Sequence, residues 1–212
     1  MEIDIHIHSL YSPDSRSRPE AIVARAISTG LRAIAVTDHM SWEGARATSK
    51  IAPRTLLVIP GAELKTDKGD LLALFIDEGV KTNVFAEAVE RINALGGVSI
   101  VPHPSESPGI TRSELSLADG YEAFNATCGP RSNRRSADLA SGLGKPAFAA
   151  SDAHMIMEIG NGRTSVQDCE TLAELREVIL RNPVISRTVR SNPLVHRANS
   201  ALMFGLKGIW QR

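Results

Sequence analysis

The stretch IDIHI, Ile3–Ile7, opens a strand–helix–strand succession that decides the fold class. Its alternating apolar residues predict a strand, and the apolar run Arg32–Thr37 predicts another. Between them, Ser17–Thr29 predicts a helix with a capping box formed by Ser17 and Glu20. A helix between two apolar strands is typical of a parallel βαβ unit.

The alternation of strands and helices continues along the rest of the chain. Five further strands are predicted at Leu56–Ile59, Leu71–Ile76, Val98–Val101, Tyr121–Phe124 and Pro146–Ala150. Three further helices are predicted at Asn83–Leu95, Ser132–Leu143 and Thr171–Leu180. The segment Lys65–Gly69 leaves no room for a helix and predicts a hairpin turn. About seven strands predict a parallel α/β fold, a small or distorted barrel rather than an eightfold barrel of ~250 residues.

Length and composition predict one globular domain. The 212 residues include 24 Lys+Arg and 24 Asp+Glu, and 42% of them are hydrophobic. We expect the domain to span residues 1–190. Residues 191–212 contain apolar residues that would suit a terminal helix, so we expect a helical tail that packs on the domain or on a partner subunit of an oligomer.

Composition also argues against several function classes. The zero net charge gives no general electrostatic reason to bind nucleic acid, and the 4% aromatic content weakens a base-stacking model. No stretch reaches the roughly 18 apolar residues of a membrane helix, and the first residues lack the features of a signal peptide. We therefore expect a cytoplasmic protein without a membrane partner. Cys128 and Cys169 are too few for a disulfide framework.

Five of the six histidines lie at or just after the ends of predicted strands. These five are His6, His8, His39, His103 and His154. Because the carboxyl ends of parallel strands form one rim, we expect these imidazoles to lie close together. His6 and His8 are two residues apart in a strand, so their side chains point to the same side. The sixth histidine, His196, lies in the tail.

Carboxylates accompany these histidines. Asp14 follows the first strand, Glu63 follows the third, and Asp152 lies two residues before His154. Imidazole combined with carboxylate suits Zn, Mn or Fe better than Ca or Mg. Each short pattern alone also occurs on ordinary surfaces and in ordinary cores, but their joint placement at strand ends predicts a metal site.

In chain order, these motifs resemble those of the polymerase and histidinol phosphatase (PHP) family of metal-dependent phosphoesterases. The resemblance runs from Asp4 to about Val166, and its motifs are His6-Ile7-His8 with Ser12 and Asp14, Thr37-Asp38-His39, Pro60-Gly61-Ala62-Glu63, Pro102-His103-Pro104 and Ser151-Asp152-Ala153-His154. It implies a distorted (β/α)7 barrel that binds two or three divalent metal ions, usually Zn, Mn or Fe.

Carried over by position, the resemblance implies three groups of ligands. The first ion would be held by His6, His8, Glu63 and Asp152. The second would be held by His103 and by Glu63, which would bridge the two ions. The third would be held by Asp14, His39 and His154. Many family members have another histidine where this chain has Asp70. A hairpin at Lys65–Gly69 would place Asp70 beside Glu63 as a replacement ligand; alternatively, Asp70 only caps the turn.

The resemblance implies hydrolysis of a phosphate ester by a metal-activated hydroxide. The expected substrate is a small phosphorylated molecule such as a nucleotide, a sugar phosphate or histidinol phosphate. Other residues are predicted to assist catalysis. Asp38 would orient a ligand or relay a proton, or else simply cap the next helix. Candidates for binding the substrate phosphate are Arg131, Arg134, Arg135 and, foremost, Arg163, which follows a Gly-Asn-Gly segment; alternatively, each is a solvated surface charge.

Two other function classes stay open. Related domains accompany DNA polymerases, so the chain could be a nuclease or exonuclease acting on single-stranded ends, although its neutral charge and few aromatic residues disfavour this. It could also be a non-catalytic binding subunit, although the retention of every motif argues against that reading.

Overall fold

The computed structural model describes residues 1–77, 79–107, 109–196, 198–199 and 202. The strands in this part of the chain are β1 (Glu2–Ile7), β2 (Ala33–Val36), β3 (Leu57–Thr66), β4 (Gly69–Leu74), β5 (Val98–Val101), β6 (Gly120–Asn125), β7 (Ala147–Ala150), β8 (Gly162–Ser165) and β9 (Val184–Thr188). The helices are α1 (Pro19–Ser28), α2 (Glu43–Ile51), α3 (Phe85–Ala94), α4 (Arg112–Leu115), α5 (Pro130–Leu143) and α6 (Leu172–Val178).

All of these strands belong to one sheet, in the order β7-β6-β5-β4-β3-β2-β1-β8-β9. The sheet curls until β8 meets β7. There, the Ala149 backbone N–H donates to Thr164 Oγ1 at 2.9 Å, and this hydroxyl donates to the Ala149 carbonyl at 3.1 Å. The result is a nearly closed, distorted α/β barrel, which confirms the predicted fold class.

The sheet is mixed rather than parallel throughout. The pairs β1–β2, β2–β3, β5–β6 and β6–β7 are parallel, whereas β3–β4, β4–β5, β1–β8 and β8–β9 are antiparallel. Strands β8 and β9 are not predicted from the sequence, because neither is an apolar run and β9 is exposed along its whole length. Helix α2, whose residues are mostly small or polar, is not predicted either.

Two local predictions need correction. The turn between β3 and β4 contains only residues 67–68, because both strands extend further than predicted. Helix α1 starts at Pro19 with Arg18 as its N-cap and without a side-chain cap hydrogen bond, so the predicted Ser17–Glu20 capping box was wrong. A proline suits the first helical position, and here it starts the helix later than that box requires.

A bulge in β1 changes the side on which its residues lie. Ile5 packs with Leu72 of β4, whereas Ile7 belongs to a different core cluster beneath α1. Regular alternation would place Ile5 and Ile7 on the same side. They differ because Asp4 pairs with Ile34 of β2 and Ile7 pairs with Val36. Two residues of β1 therefore lie opposite one residue of β2, so β1 contains one extra residue. The bulge lies directly beside His6.

The described part of the tail lies against the domain. Residues 193–196 are helical. The Ser191 backbone N–H donates to the Ala126 carbonyl at 2.8 Å, and Asn199 Nδ2 donates to the Asp14 carbonyl at 3.4 Å. The predicted tail residues 197, 200–201 and 203–212 lie outside the described residues. Within the described ranges, no helix is long and apolar enough to cross a membrane.

Candidate metal centre

The ends of five strands and the loops that follow them bring the predicted ligands together. The end of β1 contains His6, and the residues after it include His8 and Asp14. Strand β3 contains Glu63. The segments after the other three strands contain His39 (after β2), His103 (after β5), and Asp152 and His154 (after β7). Isolated bridges extend the sheet at this rim, pairing Ile7 with Ala153 and His39 with Glu63. The predicted convergence is therefore present in the fold.

The first group, which we call the buried cluster, consists of His6, His8, Glu63 and Asp152. Their ligand atoms are closely spaced: Nε2 of His6 and Nε2 of His8 lie 3.1 Å apart, and both lie 3.3–3.4 Å from Glu63 Oε2 and Asp152 Oδ1. A tetrahedral ion with bonds of about 2.0–2.1 Å separates its ligands by about 3.3–3.4 Å. The distances to the two imidazoles match this value, so His6, His8 and Glu63 could hold one divalent ion, with Asp152 beside both imidazoles.

The second group, the outer cluster, consists of Asp14, His39 and His154. Asp14 Oδ2 lies 3.0 Å from His39 Nε2 and 3.2 Å from His154 Nε2. His8 connects this cluster to the buried one, because its ring also lies close enough to offer a ligand atom here. His39 makes a second connection through Nδ1, which lies 3.0 Å from Glu63 Oε2.

The third group, the hairpin cluster, consists of Glu63, Asp70 and His103. Their ligand atoms lie within 4.8 Å of one another, and His103 Nε2 is 3.5 Å from Glu63 Oε1. Asp70 reaches this position because β4 pairs antiparallel with β3, where Leu72 faces Glu63 and Asp70 faces Lys65. The predicted placement of Asp70 beside Glu63 is confirmed, whereas its role as a ligand stays a prediction.

The charges in the clusters are strongly coupled. Burial opposes protonation of His39, but hydrogen bonds to Asp14 and Glu63 outweigh it and raise the pKa of His39 to about 10. Burial also lowers the pKa of His154, but the hydrogen bond to Asp14 and the nearby carboxylates outweigh it and raise this pKa to about 9. At His8, burial and the neighbouring His154 lower the pKa to about 4. The carboxylates therefore attract positive charge to the centre, which a divalent ion would supply in exchange for protons.

Two buried nitrogens also indicate a ligand. Within the described part of the chain, Nδ1 of His8 and Nδ1 of His103 have no hydrogen-bond partner. Buried polar atoms are rarely left without a partner unless a water or an ion completes the site. Together with the imidazole and carboxylate donors, these atoms show that the residues present fit divalent metal ions.

A buried glutamate that the sequence analysis missed holds His6 in place. Glu122 is fully buried; its Oε1 lies 2.7 Å from His6 Nδ1, and its Oε2 accepts from the His103 backbone N–H at 3.0 Å and from Asn125 Nδ2 at 2.8 Å. A carboxylate that bonds one ring nitrogen leaves the other free to face the cluster. The signal for this residue was a charge inside an otherwise apolar strand, since such a charge needs a partner.

The remaining ligands have similar supports. Asn125 Nδ2 and Thr127 Oγ1 donate to Asp152 Oδ2 at 3.2 and 2.8 Å, and Ser12 Oγ donates to Asp14 Oδ1 at 2.7 Å. Glu158, also missed, accepts from the backbone N–H of His154 at 3.0 Å. Asn125 thus positions a ligand through side-chain hydrogen bonds.

Asp38 joins the loop after β1 to the loop after β2. Its Oδ1 and Oδ2 accept from the backbone N–H and the hydroxyl of Ser9, each at 2.6 Å. Gly44 allows this contact, because a Cβ there would lie 1.8 Å from Asp38 Oδ2. Helix α2 has Trp42 as its N-cap with no side-chain cap bond, so Asp38 is not a helix cap. Its hydrogen bonds instead connect Ser9 with the residue that precedes His39.

Arg163 lies away from the clusters, so the prediction that it binds the substrate phosphate needs correction. Its Nε donates to the Gly160 carbonyl and its NH1 to the Thr29 carbonyl, both at 2.7 Å. Thr29 is the C-cap of α1, which leads into β2, so this guanidinium stabilises a helix end. The prediction failed because the register of β8 pairs Thr164 with Ile3, which places Arg163 beside the first residues of β1 rather than at the carboxyl end of that strand.

Three ligand-bearing or adjacent residues adopt left-handed backbone conformations. The φ angles are +31° for His103, +50° for Asp152 and +53° for Met40, which follows His39. Such conformations are unfavourable for residues other than glycine and often occur at functional sites. At Met40, hydrogen bonds secure the backbone, because its N–H donates to the Glu63 carbonyl at 2.9 Å.

Comparison with known proteins places this centre in a family. The PHP domain family matches residues 4–129, more than half of the chain, and a PHP-associated family matches residues 130–184. The chain belongs to the PHP domain family. As a PHP-domain protein, it is a metal-dependent phosphoesterase, that is, a hydrolase.

Several proteins are similar to this PHP-domain protein in sequence or in fold. An uncharacterized protein of Methanocaldococcus jannaschii is 33% identical over 142 residues, which are 59% of this chain and 82% of the relative. A two-domain protein from Bacteroides vulgatus, described as containing a predicted PHP-like metal-dependent phosphoesterase, has a TM-score of 0.74 at 18% identity and covers 94% of this chain and 69% of its own. The lesion-specific endonuclease from Pyrococcus furiosus has a TM-score of 0.64 at 18% identity, and the match covers 91% of this chain and 59% of the endonuclease.

Proposed function

We propose that this PHP-domain protein hydrolyses a phosphate ester of a small molecule, such as a nucleotide, a sugar phosphate or histidinol phosphate. We also propose that two or three divalent ions are held by His6, His8, Asp14, His39, Glu63, Asp70, His103, Asp152 and His154. The observation that carries the proposal is that the three clusters share residues. Glu63 belongs to the buried and hairpin clusters, and His8 can offer a ligand atom to the buried and outer clusters. Closely spaced ions suit phosphoester chemistry.

When bound, the ions supply positive charge that neutralises phosphoryl oxygens and lowers the pKa of water. The protein supplies rigid ligands. Glu122 orients His6, while Asn125 and Thr127 orient Asp152. Asp38 positions the segment that carries His39 through its bonds to Ser9. We therefore interpret Asp38 as a positioning residue.

The donor chemistry supports Zn, Mn or Fe. The proposed ligands are five imidazoles and four carboxylates, whereas Ca and Mg prefer sites made of oxygen atoms.

A nuclease is the second candidate function. It is favoured by the similarity in fold to the Pyrococcus furiosus endonuclease. The zero net charge and the 4% aromatic content favour a small substrate instead, because proteins that bind single strands use basic grooves and aromatic platforms.

The proposal is tested by stripping the protein of metal and assaying a panel of phosphomonoesters and phosphodiesters after adding Mn, Zn, Fe or Mg. We expect hydrolysis with at least one of Mn, Zn and Fe. The double variant His6→Ala/His8→Ala should lose turnover and keep its circular dichroism spectrum. Full activity in that variant would exclude this metal centre as the catalytic site, and hydrolysis of oligonucleotides alone would favour the nuclease.

We further propose that tail residues 191–196 and 198–199 pack on their own domain rather than on a partner subunit. The supporting contacts are those of Ser191 and Asn199 and an ion pair of 3.2 Å between His196 Nδ1 and Glu158 Oε1. A monomer in analytical ultracentrifugation, with tail amides protected from hydrogen exchange, is the expected result. Protection that appears only in a dimer would contradict it.

A further inference from the structure

Three arginines on α5 form a basic surface that we call the arginine groove. Arg131, Arg134 and Arg135 are exposed and, with Pro130, line a surface cavity of about 420 Å³. They are spaced at i, i+3 and i+4, so they occupy one face of the helix.

The charges of the groove are not compensated by the protein. Among the described residues, none of the three arginines forms an ion pair or a hydrogen bond, and Asp138, one turn further along α5, forms no ion pair with them. Some other arginines do have such partners: Arg46 lies 2.7 Å from Glu43, and Arg32 lies 3.3 Å from Glu170. Like charges at i, i+3 and i+4 destabilise a helix. A cluster with this cost and no internal partner is suited to an external anion.

The helix itself adds to the positive potential. The groove lies in the first two turns of the 14-residue α5, where the unpaired N–H groups and the helix dipole favour negative charge. The first turn of α5 itself contains no acidic residue, and Glu106, which lies earlier in the chain, accepts a hydrogen bond there from the Ser132 hydroxyl.

Two segments of the chain connect the groove with the metal centre. The loop between β6 and α5 contains Thr127, whose hydroxyl donates to Asp152 Oδ2 at 2.8 Å. Arg131 follows four residues later, so its Cα is at most about 14 Å from that of Thr127. Ser105, two residues after His103, donates to the Ser132 carbonyl at 3.0 Å and so attaches α5 to the loop of a second proposed ligand.

We propose that the arginine groove binds a second anionic group of the substrate, a phosphate or carboxylate remote from the ester that is cleaved. This inference rests on the proposed phosphoesterase function and specifies its substrate class: small esters with an additional negative group. Arginine suits the role because its planar fork binds both oxyanions with charge-assisted hydrogen bonds.

Alkanediol monophosphates and the matching bisphosphates, with two to eight carbons, test the proposal. Both members of each pair contain the same scissile ester, so only the second phosphate differs. We expect KM to be about tenfold lower for the bisphosphate at one preferred chain length, since a charged hydrogen bond contributes free energy of this order. The preference should weaken as ionic strength rises, because salt screens exposed charges.

The triple variant Arg131→Gln/Arg134→Gln/Arg135→Gln should lose the preference for bisphosphates and retain kcat for the monophosphates, with unchanged metal content. Arg91 is an exposed arginine on α3 without an ion pair among the described residues. The variant Arg91→Gln is therefore the matched control and should retain the preference. A 5′-phosphorylated dinucleotide, compared with the mononucleotide, distinguishes a nucleic-acid phosphate from a free bisphosphate as the source of the anion.

Equal KM values for all pairs in the wild type, or a preference that survives in the triple variant, would overturn the proposal. Failure of the proposed function is a different result, in which no ester is hydrolysed with any metal. Binding of the bisphosphates to metal-loaded protein by calorimetry then decides the matter: a loss of about tenfold in affinity on triple substitution supports the groove, and no loss refutes it.

Discussion

The buried and outer clusters use the same kinds of side chain in different environments. His6 and His8 are completely buried, whereas the side chains of His39 and Asp14 are 33% and 19% exposed. The buried cluster lies deep in the barrel with Glu122 and Asn125 behind it, and the outer cluster faces solvent. We interpret the buried cluster as the rigid part of the centre and the outer cluster as the side on which substrate and ions enter, because only exposed ligands can exchange contacts easily.

Removing one imidazole from each cluster should produce the largest difference. We expect His8→Ala to lower kcat by about 10³-fold or more, because His8 serves both clusters and an ion contributes several kcal/mol of charge stabilisation. Compared with His8→Ala, the variant His39→Ala should lose fewer ions per chain and a smaller part of its activity. Steady-state kinetics together with metal analysis by atomic emission measures both effects. Greater loss of activity in His39→Ala would reverse our assignment of the rigid and open parts.

The residues behind the ligands should differ in the same direction. Glu122→Gln keeps the size of the side chain but weakens its hold on His6, and we expect metal affinity to fall by about 10–100-fold. Ser12→Ala, which removes the support of the exposed Asp14, should have a smaller effect. Competition with a chelator measures both affinities. Equal losses would show that burial does not determine the importance of these supports.

Asp70 tests the connection of the hairpin cluster to the buried one. If Asp70 is a ligand, Asp70→Asn should weaken the binding of one ion by about tenfold and leave the thermal stability of the metal-free protein nearly unchanged. Asp70→His should restore affinity with an imidazole donor. Metal titration that shows no change in either variant would reduce Asp70 to a residue of the hairpin turn.

The smallest effect concerns the pH dependence of the metal-free protein. The pKa of His39 is raised to about 10, against about 6.5 in an unfolded chain. Its contribution to stability is therefore complete below pH 6.5 and is lost as pH rises through 10. We expect the Tm advantage of the wild type over His39→Gln to be roughly 2–4 °C at pH 6.5, after allowance for solvent screening, and to vanish near pH 10.

His8 in the buried cluster should show the opposite trend. Its pKa is lowered to about 4, so its contribution is complete above pH 6.5 and is lost as pH falls through 4. Differential scanning calorimetry of the wild type, His8→Gln and His39→Gln between pH 4 and 10 separates the two trends. Parallel Tm curves for all three proteins would contradict the electrostatic distinction between the clusters.

The amino-acid sequence by itself determined the alternation of strands and helices and the set of histidines and acids at strand ends. Strand β5 has the predicted bounds, and the ligands that followed apolar strands, such as His39 and His103, lie at the rim as expected. Apolar periodicity reports burial, and it therefore locates central strands and their ends.

Only the tertiary structure decided the rest. Strands β8 and β9 depend on pairing with β1 and with each other rather than on their own composition. The same pairing directs Arg163 to the Thr29 carbonyl, and the bulges of β1 and β6 lie beside His6 and Glu122. Long-range pairing and register involve residues that are distant in the chain, and local sequence patterns contain no information about which distant backbone will satisfy a given hydrogen bond.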